Sequence, residues 1–303
     1  MLQSAPPDPS SNHLDLAGRF QHRFVLRSEP LSPNTGIPLV DQAVAAYRDY
    51  WARSLFAELS RADGESMLED SLHEMLNAES TAGKADDVFQ SLGKAIEKLG
   101  YGILAVQAPP LQDLFIWGSQ RDQEYTVDLT DQSRTVQVAF MSDFVSLGWK
   151  DYAALGLATT TGWVENGVLY CVERAYIAGT ERFEVSYLKH EVRHLADLER
   201  FPGLRSVDLE YRAKLTELAF ASKTLKRLLA DFTAKSAPNP DSPHAEANHR
   251  VLQDLHKDLY GQPLPKDGYP WRSVGTLQVN AAARRLLRQN TDVLETRSDD
   301  AAP

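Results

Sequence analysis

The apolar residues of this 303-residue chain change their period twice. Between Leu39 and about Gly100, Val44, Tyr47, Trp51, Leu55 and Leu59 recur at three- and four-residue steps. Leu68, Leu72, Met75 and Leu76 repeat the pattern, as do Val88, Leu92, Ile96 and Leu99, so this stretch reads as three amphipathic helices. Asp63-Gly64 and Ala82-Gly83 are expected to punctuate them, and Gly100 stands where a C-terminal cap belongs. From Tyr101 to Arg182 the texture is that of strands: Leu114–Trp117, Tyr125–Leu129, Val136–Met141 and Gly162–Arg174 are rich in aromatic and β-branched residues. Asn166-Gly167, between Trp163-Val164 and Val168-Leu169-Tyr170, predicts a tight hairpin because both residues tolerate positive φ. After Phe183 the helical period returns, over roughly 184–200, 207–231, 245–260 and 276–290. Segregated rather than alternating elements point to an α+β fold with a small, mainly antiparallel sheet.

The flanks differ from this pattern. Residues 1–36 are rich in Pro, Ser, Asn and Asp and read as a loose N-terminal arm anchored by Phe20 and Phe24-Val25-Leu26. Residues 293–303 read as a solvated tail. Between them one elaborated domain is expected over 37–292: helical over 37–100, sheet over 101–183, and helical again over 184–292.

Composition narrows the chemistry. With 32 Lys and Arg against 42 Asp and Glu, the net charge of -10 repels phosphate backbones and argues against non-specific nucleic-acid binding, so no nucleic-acid partner is expected. The single cysteine, Cys171, excludes zinc sites built on paired thiolates, so a metal must be held by His and carboxylate. No apolar run approaches the ~20 residues of a membrane span, and Met1–Pro7 lacks the basic and apolar regions of a signal peptide. A soluble, cytoplasmic protein is the expectation.

Inside a segment of helical character lies His190-Glu191-Val192-Arg193-His194. Residues four apart sit about one turn apart on one helix face, so both imidazoles can converge on one zinc ion while Glu191 reaches a metal-bound water. Zinc lowers the pKa of that water toward ~7, and the carboxylate takes its proton during attack. His73-Glu74 forms only half of such a motif in a plain amphipathic helix and reads as surface. A third ligand six residues after the second His is disfavoured, because that position is Arg200 and Asp197 stands where a glycine is usual. A carboxylate from the next helix is available instead, after Phe201-Pro202-Gly203 and with Ser206 as a candidate N-cap. Glu210 and Glu217 share one face of that helix about 10 Å apart, and helix geometry alone does not choose between them.

The motif followed by Glu210-Tyr211-Arg212-Ala213 resembles the gluzincin group of zinc metallopeptidases over about 28 residues. The resemblance implies a zincin-like fold, His190, His194 and Glu210 as zinc ligands, and Glu191 as general base. Several subfamilies continue with Asp where this chain has Lys214, so the carboxylate that would orient a ligand His is missing there; Asp197 and Glu217 are the available substitutes. The implied function is hydrolysis of peptide bonds in a peptide or protein substrate. Lys214 and the long helical remainder keep open a catalytically inactive, zinc-stabilised binding or scaffold protein, and a metal-free helical interaction protein ranks last. Neither substrate identity nor oligomeric state is specified.

Tyr187, His244, His249, His256 and Tyr260 are candidates to stabilise a developing oxyanion, although packing roles are the stronger expectation for each. Tyr211 also reads as packing, and Cys171 as a small buried residue. Arg284, Arg285 and Arg288 form a basic stripe that reads as a solvated face or, at most, a local docking patch.

Overall fold

A computed structural model describes residues 16–79, 87–108, 110–265 and 270–300. The chain is α+β, with helices and a five-stranded sheet, and it divides into two compact units. The first contains residues 1–121 and 140–161, and the second 122–139 and 162–303. The units therefore do not follow the sequential division into helical, sheet and helical stretches: two long strands pass from one unit into the other.

In the first unit, helix α1 (Pro38–Leu55) opens with proline, whose fixed φ suits the first helical position, and buries Leu39, Val40, Ala43, Val44, Tyr47, Tyr50 and Trp51. Helix α2 (Arg61–Glu79) packs on it, and α3 (Val88–Glu97) buries Val88, Leu92 and Ile96. Asp63-Gly64 lies inside α2 rather than before it. The break falls earlier, at Ser60, whose hydroxyl accepts the Asp63 N–H at 3.2 Å. A Cβ at Gly64 would come within 2.9 Å of Ser54 Oγ and 3.1 Å of the Tyr50 ring, so this glycine serves close helix contact rather than a turn. Gly100 does terminate its helix, with φ of 87° and its N–H on Glu97 O. Ala82-Gly83 lies outside the described residues.

The described part of the N-terminal arm begins at residue 16. Residues 16–25 are helical, and Phe24 is buried against Phe56 and Tyr152 while Phe20, Val25 and Leu26 remain exposed. Arg23 pairs with Glu29 at 2.7 Å and donates to Tyr152 O.

The strands lie in the sheet in the order β1 (Gly102–Ala108), β2 (Leu111–Asp128), β3 (Ser133–Leu147), β5 (Val168–Val172), β4 (Gly162–Glu165). Strands β1 (Gly102–Ala108) and β2 (Leu111–Asp128) are antiparallel, from Gly102 opposite Trp117 to Ala108 opposite Leu111. The predicted piece at 114–117 and all but the last residue of that at 125–129 belong to the one strand β2, whose first seven residues are buried and whose next seven are exposed. Strand β3 (Ser133–Leu147) likewise extends well beyond 136–141 and leads into the short helix α4 (Gly148–Ala153). Strands β4 (Gly162–Glu165) and β5 (Val168–Val172) form the expected hairpin, with φ of 49° at Asn166 and 78° at Gly167.

In the second unit, one helical turn (Glu181–Phe183) and a π-helical stretch (Glu184–Lys189) lead into α5 (His190–Arg200). Gly203, with φ of 86°, turns the chain toward α6 (Ser206–Phe220). Ser206 is the first helical residue rather than a side-chain cap, and Arg205 before it pairs with Asp208. Ten successive residues of α6, Glu210–Ala219, are buried, because α5, α8 (Pro243–Tyr260) and α9 (Thr276–Asp300) all pack on this helix. The predicted helix over 207–231 breaks at Ala221 and resumes as α7 (Leu225–Ala234). Glu181 holds the break: its carboxylate accepts from the backbone of Ser222, Lys223 and Thr224 and from the hydroxyls of Ser222 and Thr224. Burial opposes its charge, but these bonds prevail and hold the carboxyl down at about 2. Helix α9 continues through Asp300, so helix replaces tail over 293–300, while 301–303 lie outside the described residues.

Candidate metal centre

Apolar packing around Tyr187 fixes the start of α5. Its ring stacks on Phe183 and tilts against Tyr176, with centroids 5.7 and 5.0 Å away. On the other side, a Cβ at Gly162 would lie 2.7 Å from Tyr187 Cε2, so only glycine lets β4 approach this closely. His190 follows three residues later. The π-helical stretch preceding it is a form of helix that recurs at functional sites.

The Nε2 atoms of His190 and His194 face each other at 3.0 Å. Glu210 on α6 closes the triangle, with one oxygen 3.4 Å from His194 Nε2 and the other 3.7 Å from His190 Nε2. The ligand edge of a tetrahedral zinc site with bonds of 2.0–2.1 Å is about 3.3 Å, close to the two separations that share His194 Nε2, 3.0 Å to His190 Nε2 and 3.4 Å to one Glu210 oxygen. The side chains are mostly buried, with 11, 15 and 12% exposure for His190, His194 and Glu210. Two imidazoles and a carboxylate thus offer donor atoms to one point, and His190, His194 and Glu210 could hold a metal ion.

Glu217 sits on the other side of the His190 ring. Its oxygen lies 2.8 Å from Nδ1, which directs Nε2 of His190 toward His194 and Glu210. The two glutamates that helix spacing left equivalent therefore have different positions. One faces both imidazoles, and the other orients one imidazole from behind. Asp197, the other candidate for that orienting role, is engaged instead by Arg193 and Arg212. We expect Glu217→Ala to weaken zinc binding about 10–100-fold in a chelator competition titration, without removing a donor to the metal.

The charge balance also suits a cation. Glu191, Glu210 and Glu217 stand against one buried ammonium, Lys214, which is 3.7 Å from Glu210 and 4.9 Å from the Phe232 ring centre. With neutral imidazoles, three carboxylates and one ammonium leave a surplus of two negative charges, which one divalent ion cancels. Burial opposes a charged His190, but the Glu217 hydrogen bond and the fields of Glu217, Glu191 and Glu210 outweigh it and raise the imidazole above its ordinary value. Burial likewise opposes the Glu210 carboxylate, yet contacts from His194 and His244 and the field of His190 hold it well below the usual range.

Glu191, next to the first imidazole, is partly exposed on the first turn of α5. Among the other candidates, His244 alone reaches the cluster. It enters from the first turn of α8, keeps 71% exposure, and places Nδ1 2.8 Å from Glu210. Tyr187 is buried, with its phenol pushed strongly up by burial and by the fields of Cys171 and Glu191. His249 contacts Gln253, while His256 contacts Gln262 O and the Trp271 ring; Tyr260 packs on His256. Tyr211 donates to Asp254 from a buried position, and Cys171 is buried. His73 and Glu74 are exposed.

The basic stripe on α9 contributes to a separate groove of about 500 Å³ that includes none of the three converging residues. Arg284 reaches back to Ala219 O and, with Asn280 on Leu218 O and Ala221 O, serves carbonyls at the end of α6; Arg285 pairs with Asp258. Among the described residues no helix is long and apolar enough to cross a membrane. No family model, curated protein or solved structure matches this chain.

Proposed function

We propose that this chain is a gluzincin-type zinc hydrolase with a zincin-like second unit, cleaving peptide bonds in peptide or protein substrates. The observation that carries the proposal is the grouping of ligand atoms from His190, His194 and the Glu210 carboxylate within 4.8 Å of one another, with Glu191 adjacent in sequence to the first of them. Zinc held there supplies Lewis-acid polarisation of a substrate carbonyl and acidifies water. Glu191 accepts the proton of the attacking water on its carboxylate and delivers it to the departing amine nitrogen. Glu217 keeps Nδ1 of His190 engaged so that Nε2 stays available as a donor. Lys214 balances part of the charge of Glu210 from the same helix, one turn away. His244, exposed at the lip of the cluster, is placed to contact a bound substrate.

Lys214 also supports a second function, a zinc-stabilised binding protein without catalysis, since it replaces the carboxylate found in several gluzincin subfamilies. Purified protein tested on a denatured protein substrate separates the two. The hydrolase is expected to lose cleavage in a zinc chelator and regain it with added zinc, whereas a zinc-loaded chain that cleaves nothing would overturn the enzymatic proposal.

A further inference from the structure

Two arginines close in sequence to the candidate ligands are tied into a buried ionic clamp. Arg193 stands inside the His-Glu-Val-Arg-His motif, and Arg212 stands two residues after Glu210. Both donate to Asp197, on α5 one turn beyond His194. Arg212 forks onto it with Nε to Oδ2 at 2.7 Å and a second nitrogen to Oδ1 at 2.9 Å, and Arg193 reaches Oδ1 at 3.2 Å. Arg193 also pairs with Asp131 in the turn between β2 and β3, while Arg212 donates to Asn290 and Thr291 of α9. Arg193, Asp197 and Arg212 are at most 1% exposed. Asp131 also pairs with Arg200, which reaches Glu295, so three arginines stand against three carboxylates and the connected group is electrically balanced.

Such a group is an expensive way to obtain stability, because desolvating its charges offsets most of their mutual attraction. Its distinctive property is geometry: an arginine fork and a carboxylate meet in one plane and register, whereas apolar surfaces tolerate sliding. The need for that register is visible at His194. Glu217 orients His190 through Nδ1, but Nδ1 of His194 is buried and has no hydrogen-bond partner among the described residues. The placement of His194 Nε2 therefore depends on where the α5 backbone lies against α6. The clamp ties down side chains on both sides of His194, Arg193 to the β2–β3 turn and Asp197 to Arg212 of the helix carrying Glu210.

We infer that Asp197 is a positioning residue for the metal centre, fixing His194 against Glu210 through the Arg193–Asp197–Arg212 clamp. This rests on the metal site proposed above. The test uses full-length wild type, Asp197→Asn and Arg212→Lys, with zinc affinity measured by chelator competition and cobalt(II) absorption reporting the donor geometry. Asp197→Asn removes the shared charge, and Arg212→Lys keeps the charge but removes the fork. Both variants are expected to retain the wild-type circular dichroism spectrum, bind zinc about 10–100-fold more weakly, and show altered cobalt bands. A folded variant with wild-type zinc affinity and wild-type cobalt bands would overturn the inference. Unfolding of both variants would overturn it in favour of a role in stability alone. Wild type that binds neither metal would overturn the metal site itself, a result distinguishable from the others because it precedes any substitution.

Discussion

Glu191→Gln is expected to reduce peptide-bond hydrolysis about 10²–10⁴-fold while leaving the zinc content unchanged. The amide matches the carboxylate in size, so packing at the start of α5 is preserved, but it cannot take a proton from water. Metal retention follows from the position of Glu191, outside the triangle formed by His190, His194 and Glu210. Paired measurement of turnover and zinc stoichiometry therefore separates the base from the ligands. Full activity in the variant would remove Glu191 from the mechanism, and loss of zinc would make it part of the metal site.

His190→Ala is expected to have the opposite signature, with metal and activity lost together. The substitution deletes a donor and leaves the Glu217 carboxylate, 5% exposed, without the imidazole it holds. A buried charge deprived of its partner costs about 3 kcal/mol or more, so the metal-free variant should also melt below the metal-free wild type. Zinc at about 100 times its dissociation constant stabilises a binding-competent protein by about 2.7 kcal/mol, or roughly 5–10 °C in melting temperature for a unit of this size. That increment should appear in wild type and vanish in His190→Ala. An equal zinc-dependent rise in both proteins would place the metal elsewhere.

The parts of this site that were legible in sequence are those enforced within one helix. Donors four residues apart must share a face, so His190 and His194 announce themselves without knowledge of the surroundings. The Asn166-Gly167 hairpin is legible for the same reason: its backbone requirement is local. Glu210 and Glu217 differ because of the offset and rotation of α6 against α5, which neither helix specifies alone. His244 comes from a helix 34 residues downstream of Glu210, with no spacing rule to connect them. Arg193 and Arg212 occupy positions a motif treats as variable, and their common partner emerges only when the two helices pack.

The fold shows the same boundary between local and distant constraints. Alternation marks a strand with one buried face, but β2 runs from a fully buried segment into an exposed one, so only its aromatic and β-branched parts stood out. The break after α6 depends on Glu181, about 40 residues away, accepting the N–H groups that a continuing helix would have used. Helix α6 has no polar face because three neighbours cover it, and its charged residues face partners rather than water.

Zinc stoichiometry of the purified wild-type chain, measured by elemental analysis after chelation and reconstitution, decides whether His190, His194 and Glu210 hold an ion. One zinc per chain is predicted, with none retained by His190→Ala under the same conditions. A wild-type chain that emerges from reconstitution without zinc would contradict a metal centre at His190, His194 and Glu210.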